Sequence, residues 1–147
     1  RQMCIRDRCN GNPYFEQDIY RSIPINELLE ILPENASIYY FDVNNEYPGT
    51  ISLKNKIKSW EDTLDFINQM DIIISSCTSL VHAAGAIGKA CITIPPIAKY
   101  YTWESTRNDY TTPWYGDNFK VFPQVKPRSW KEPLIQVKEY LENINSI

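Results

Sequence analysis

The chain is short of the residue types on which most recognisable site chemistries depend. Its 147 residues include one histidine, His82, five glycines, and four cysteines at 4, 9, 77 and 91. No cysteines form a C-x-x-C pair, and a lone histidine cannot complete a His/Cys zinc set at a familiar spacing. No G-x-G-x-x-G and no D-x-D are present. Gly85-Ala86-Ile87-Gly88-Lys89 is too short for a phosphate-binding P-loop and is followed by Ala90 where Ser or Thr should stand. Nothing resembles a nucleophile elbow. There is no Lys/Arg block and the formal net charge is −3, so the basic face that a nucleic-acid binder needs is missing. No apolar run approaches the ~20 residues of a membrane span or resembles a signal-peptide core. The expectation is a soluble cytoplasmic protein with reduced thiols that binds neither nucleic acid nor membrane.

What is present suits one folded domain. Hydrophobic residues make up 43% and charged residues 22% of the chain, enough to fill a core and to cover it. The length lies near the usual domain size of ~100–150 residues. The opening RQMCIRDR has three arginines in eight residues and no hydrophobic period. It reads as a non-native scar of an assembled reading frame. Residues 1–8 are therefore expected to lie outside the fold, with the domain over 9–147 and native sequence missing upstream.

From Cys9 onward two periods alternate. Asn10-Gly11-Asn12-Pro13 signals a turn. Ile25 to Leu32 has helical spacing and is stopped by Pro33. Ser37 to Val43 is rich in strand formers, and residues 44–58 read as a loop around Pro48-Gly49. Ser59 with Glu61 and Asp62 predicts a capped helix whose buried face is Leu64, Ile67 and Met70. Asp71 to Ser76 and Cys91 to Pro95 are short apolar runs, typical of strands covered on both faces. The small, apolar stretch from Thr78 to Ile87 between them predicts a helix ended by Gly88, and so a βαβ unit with parallel strands. Tyr100 to Asp117 reads as an aromatic-rich loop, and Phe119 to Phe122 as a last strand. Ser129 to Glu132 reads as a capping box before a helix striped by Leu134, Val137, Leu141 and Ile144. The fold class is α/β, a mostly parallel, Rossmann-like sheet flanked by helices.

Open parallel sheets bind ligands beyond the carboxyl ends of their strands. Ser75-Ser76-Cys77-Thr78-Ser79 leaves an apolar strand and enters a helix there, where free amides and partial positive charge favour an anion. Thr78 and Ser79 add hydroxyls, and His82 follows Thr78 by four residues on one helical face. Such a site contributes only ~0.3–1 kcal/mol per charge, up to ~2 when partly buried, so an arginine is expected nearby. Gly85 would let this helix pack closely on a neighbour. A Ser/Thr run before a helix is most often a plain N-cap, and a lone helical histidine is more often a packed or surface residue than a catalyst. Asp62 and Asp65 read as helix and surface charges. Asp42 with Glu46 could form a carboxylate pair, and Trp103, Trp114 and Tyr115 could stack a base or a sugar or equally form a structural aromatic loop.

The order of these elements carries a resemblance. Asn10-Gly11-Asn12-Pro13, Asp18, Arg21-Ser22, the Asp62-Thr63 helix start, Ser76 to Ala86 and Thr112-Pro113-Trp114-Tyr115-Gly116 together resemble the C-terminal half of a GT-B glycosyltransferase. The similarity is to the heptosyltransferase group and to enzymes that follow tetratricopeptide repeats, and more distantly to the O-linked N-acetylglucosamine transferases. It spans roughly residues 9–145, with Cys77 to Gly88 its most specific part.

The resemblance implies a half that binds a nucleotide-sugar donor, UDP- or ADP-linked, with no metal. Gly11 and Asn12 would border the phosphates, Arg21 would contact the diphosphate, and Thr78, Ser79 and His82 would cradle it. Arg21 and a protonated or hydrogen-bonding His82 would stabilise the departing diphosphate. The acceptor site and general base would come from an absent N-terminal half. Cys77 departs from the family, which usually has Asp before this Thr. The alternatives are a non-catalytic nucleotide-binding module and a degenerate interaction domain.

Overall fold

Three successive isoleucines, Ile72 to Ile74, suit a strand only if both of its faces are covered. A computed structural model describes residues 4–8, 14, 18–40, 46–104 and 109–145, and shows that arrangement. Its strands are β1 (Cys4–Arg8), β2 (Ser37–Tyr40), β3 (Ile51–Ser52), β4 (Ile72–Ser76), β5 (Cys91–Ile94) and β6 (Phe119–Val121). They form one sheet in the order β3-β2-β1-β4-β5-β6, and every neighbouring pair is parallel. The fold is α/β, with the strand order of a Rossmann-like doubly wound sheet.

Side chains of β4 and β5 alternate between two cores. Ile72, Ile74, Ile92 and Ile94 point to one face, where α2 (Ile25–Leu29) contributes Leu28 and α5 (Lys131–Asn145) contributes Leu134, Val137 and Leu141. Ile73 and Cys91 point to the other, against Ile67 of α3 (Trp60–Gln69) and Leu80, Val81 and Ala84 of α4 (Ser79–Ala86). The cap expected at Ser59 is a full capping box: the Asp62 amide donates to Ser59 Oγ at 3.1 Å and the Ser59 amide to Asp62 Oδ2 at 3.0 Å. At the start of α5 the anticipated pair meets differently, Ser59's counterpart Ser129 donating its hydroxyl to Glu132 Oε2 at 2.9 Å. Ile144, expected in the buried stripe, is exposed.

Three elements differ from the sequence expectation. Cys4–Arg8, expected outside the fold, forms β1 between β2 and β4. Strand pairing uses backbone N–H and C=O groups, which these residues supply whatever their hydrophobic pattern. Ile51–Ser52, expected within a loop, adds β3 beside Tyr39 and Tyr40; two residues are too few to show a period. The single turn α1 (Asp18–Arg21) was likewise without a signal of its own.

The connection from β5 to β6 crosses the α3/α4 face with no α-helix among its described residues. One 3₁₀ turn, Tyr101–Trp103, and a packed set of aromatic rings fill that layer. Trp103 stacks on Phe119 with centroids 5.8 Å apart, and Tyr115 lies 4.7 Å from Phe119. Gly85 does permit close packing, though against the Tyr115 ring rather than a helix: a Cβ there would meet ring carbons at 2.6 Å. Gly85→Ala should therefore lower the urea midpoint, since overpacking costs of about 1–3 kcal/mol exceed the ~1 kcal/mol gained in helix propensity. In a Tyr115→Ala background the same change should raise it; an equal effect in both backgrounds would remove the ring as the cause.

Candidate functional site

In this strand order the chain runs outward from β1 to β3, returns to place β4 beside β1, and runs outward again to β6. The strand order therefore reverses between β1 and β4, and in open parallel sheets the crevice at the carboxyl ends of the strands lies at such a switch point. A cavity of about 280 Å³ lies at that end. Tyr20 and Arg21 of α1 line it, with Cys77 just beyond β4, Pro96 to Ala98 just beyond β5, and Tyr100. Among the described residues its walls are mainly apolar, with the Arg21 guanidinium as the charged group.

Arg21 is part of a built cluster. Its Nε donates to Asp18 Oδ1 at 2.9 Å, while the Ser22 hydroxyl donates to the other Asp18 oxygen at 2.9 Å. An anion in the cavity thus meets an arginine already oriented by a carboxylate, and it must compete with that carboxylate. Burial raises the Cys77 thiol above its ordinary value, and nearby Arg21 only partly offsets this. Cys77 is accordingly a neutral thiol on the cavity wall.

Thr78 and Ser79 stand at the amino end of α4, as expected from sequence. Ser79 is exposed. Thr78 is buried and makes no capping bond; its hydroxyl lies 3.3 Å from that of Ser75. His82 is one turn further along and faces the aromatic layer. Its Nδ1 shares a 2.7 Å hydrogen bond with the Tyr115 hydroxyl, and its ring lies 4.9 Å from that of Trp103. Partial burial lowers its pKa, so the neutral, hydrogen-bonding imidazole is favoured over the protonated one. The structure brings Arg21 together with Cys77. It brings His82 together with Tyr115 and Trp103, and neither Thr78, Ser79 nor His82 lines the cavity.

Gly11, Asn12 and Asp42 lie outside the described residues; Glu46 is exposed. Asp62 works in the α3 cap, and Asp65 accepts only a surface bond from Gln69 at its carbonyl. Among the described residues no group of three or more His, Cys, Asp or Glu is placed to hold a metal, and no helix is long and apolar enough to cross a membrane.

One contributor carried no sequence signal. The Gln124 amide donates to the Pro95 carbonyl at 3.0 Å, and its side-chain Oε1 accepts from the Ile97 amide at 3.3 Å. It ties the cavity wall to the segment after β6. Its buried Nε2, like Ser76 Oγ and Thr93 Oγ1, has no hydrogen-bond partner among the described residues. Of the wall residues, Cys77 and Pro96 to Ala98 lie just beyond the carboxyl ends of β4 and β5, a position visible only once the sheet is known.

The His82 shift sets a pH dependence. Its folded pKa lies below the unfolded value of about 6.5, so its contribution is present above that pH and is lost as pH falls through the window beneath it. The depressed carboxylates Asp62, Asp109 and Glu132 titrate lower still. Urea midpoints should therefore decline between pH 7.5 and 5.5 in the native chain and decline less in His82→Gln. Parallel curves would show that the imidazole is not responsible. Comparison with protein-family models, curated proteins and solved structures returns no match to this chain.

Proposed function

We propose that this chain is the donor-binding half of a GT-B glycosyltransferase, taking a nucleotide-diphosphate sugar, UDP- or ADP-linked. The observation that carries the reading is the cavity at the carboxyl ends of β4 and β5, with Arg21 in its wall beside the residue that leads into α4. The apolar lining and the rings of Tyr20 and Tyr100 suit a base and ribose, while Arg21 and the amino end of α4 suit the diphosphate.

In the proposed transfer the sugar–phosphate bond breaks, and its electron pair stays on the departing diphosphate. Arg21 and the helix end stabilise that charge. His82, neutral and held by Tyr115 away from the cavity wall, is given no step in this transfer. The reading assigns no step to a metal. The acceptor site and general base belong to the N-terminal half, with which this half would form the cleft; tetratricopeptide repeats would lie further upstream.

A non-catalytic nucleotide-binding module is the second reading. It is favoured by Cys77 in place of a carboxylate and by His82 facing the aromatic layer. Calorimetric titration of the folded chain with UDP, ADP, GDP and CDP separates these possibilities. Saturable binding of UDP or ADP, weakened about ten- to a hundredfold in Arg21→Ala, is expected from the loss of a charge-assisted contact. Equal affinity for free and sugar-linked diphosphate would favour the module. A folded chain that binds none of the four would leave the interaction-domain reading in front.

A further inference from the structure

The β5–β6 crossover turns the rings of Trp103 and Tyr115 inward and leaves Tyr100, Tyr101, Tyr110 and Trp114 exposed. Trp103 and Tyr115 face α4 and β6, whereas Tyr101 and Trp114 are 71% and 57% exposed. The Tyr101 and Trp114 rings are 5.8 Å apart at an interplanar angle of 66°. Buried Thr112 holds them together: its hydroxyl donates to the Thr102 carbonyl at 2.8 Å and accepts from the Trp114 amide at 3.3 Å. The two loop segments are thus stitched to each other between the rings, and the pair is preorganised at the cost of exposing apolar surface to water.

We propose that Tyr101 and Trp114 form a carbohydrate platform, a corner that seats one pyranose of a neutral oligosaccharide. Size argues for a small occupant. The rings together expose on the order of 300 Å², far below the ~800 Å² per partner of a stable protein interface. Charge argues against an anionic one: beside Tyr101, Lys99 and Glu104 pair with each other at 3.3 Å, and the ionic group nearest Trp114 in sequence is the carboxylate of exposed Asp117. Shape argues against a flat base held between parallel rings. A ring face set at 66° to a second ring instead suits a puckered sugar, whose C–H face lies on the electron-rich indole while its hydroxyls reach the Tyr101 phenol. Tyr101 directly follows Tyr100 on the cavity wall, so the platform adjoins the cavity rim. It does not depend on donor binding within the cavity.

The test is a titration of the full chain, without nucleotide, using neutral glucose-, galactose- and N-acetylglucosamine-based hexasaccharides, read by tryptophan fluorescence and calorimetry. Saturable binding of at least one sugar series is expected. It should weaken about tenfold or more in Trp114→Ala and in Tyr101→Ala, be largely retained in Trp114→Phe, and be unchanged in Trp60→Ala, which removes an exposed indole elsewhere. Circular dichroism and urea midpoints establish that each variant is folded. Three results would overturn the proposal: no saturable binding by the folded native chain, binding that survives loss of both rings, or a concentration-dependent dimer that shields Trp114 from quenching.

Discussion

Coverage of both faces of the parallel sheet is the constraint from which the rest of this molecule follows. Successive parallel strands cannot be joined by tight hairpins, so each connection must cross one face of the sheet. β4 and β5 meet this with alternating side chains, Ile72, Ile74, Ile92 and Ile94 toward α2 and α5, and Ile73 and Cys91 toward α3 and α4. Parallel direction also collects every strand's carboxyl end at one edge. The segments after β4 and β5 meet there, and α1 joins them with Arg21.

The crossover from β5 to β6 meets the same demand by other means. Packed rings fill the layer: Trp103 on Phe119, Tyr115 on Phe119 and against Gly85, and His82 between Trp103 and Tyr115. Aromatic rings bury large areas per residue and hold definite mutual geometries, which lets a short irregular segment act as a rigid layer. The same packing decides the role of His82. Its imidazole is held by a phenol and an indole, and partial burial keeps it neutral.

Much of the fold was legible in the sequence, where the physical signal is local. Two apolar runs with a small, glycine-stopped helix between them indicate β4-α4-β5, and Ser59 with Asp62 indicates the start of α3. Tyr39 and Tyr40 could be assigned to a strand, but their partner at Ile51–Ser52 could not, because two residues carry no period. Cys4–Arg8 has a composition foreign to a buried strand, yet it supplies the backbone that β2 and β4 both pair with. In the candidate site, the placement of Thr78 and Ser79 at a helix start was readable. The proximity of Arg21 to Cys77 left no local signal, since 55 intervening positions separate them.

The sequence by itself determined the α/β class, the two-sided burial of β4 and β5, the α3 cap and the strand-to-helix turn at Thr78, all properties of hydrophobic period and local hydrogen bonding. Only the tertiary structure decided the strand order, the cavity wall at Pro96 to Ala98 with its Gln124 tie, the neutral setting of His82, and the outward corner of Tyr101 and Trp114. Those depend on which distant segments the sheet brings side by side, and pairing between backbones, unlike burial of side chains, leaves almost no mark on the order of residues.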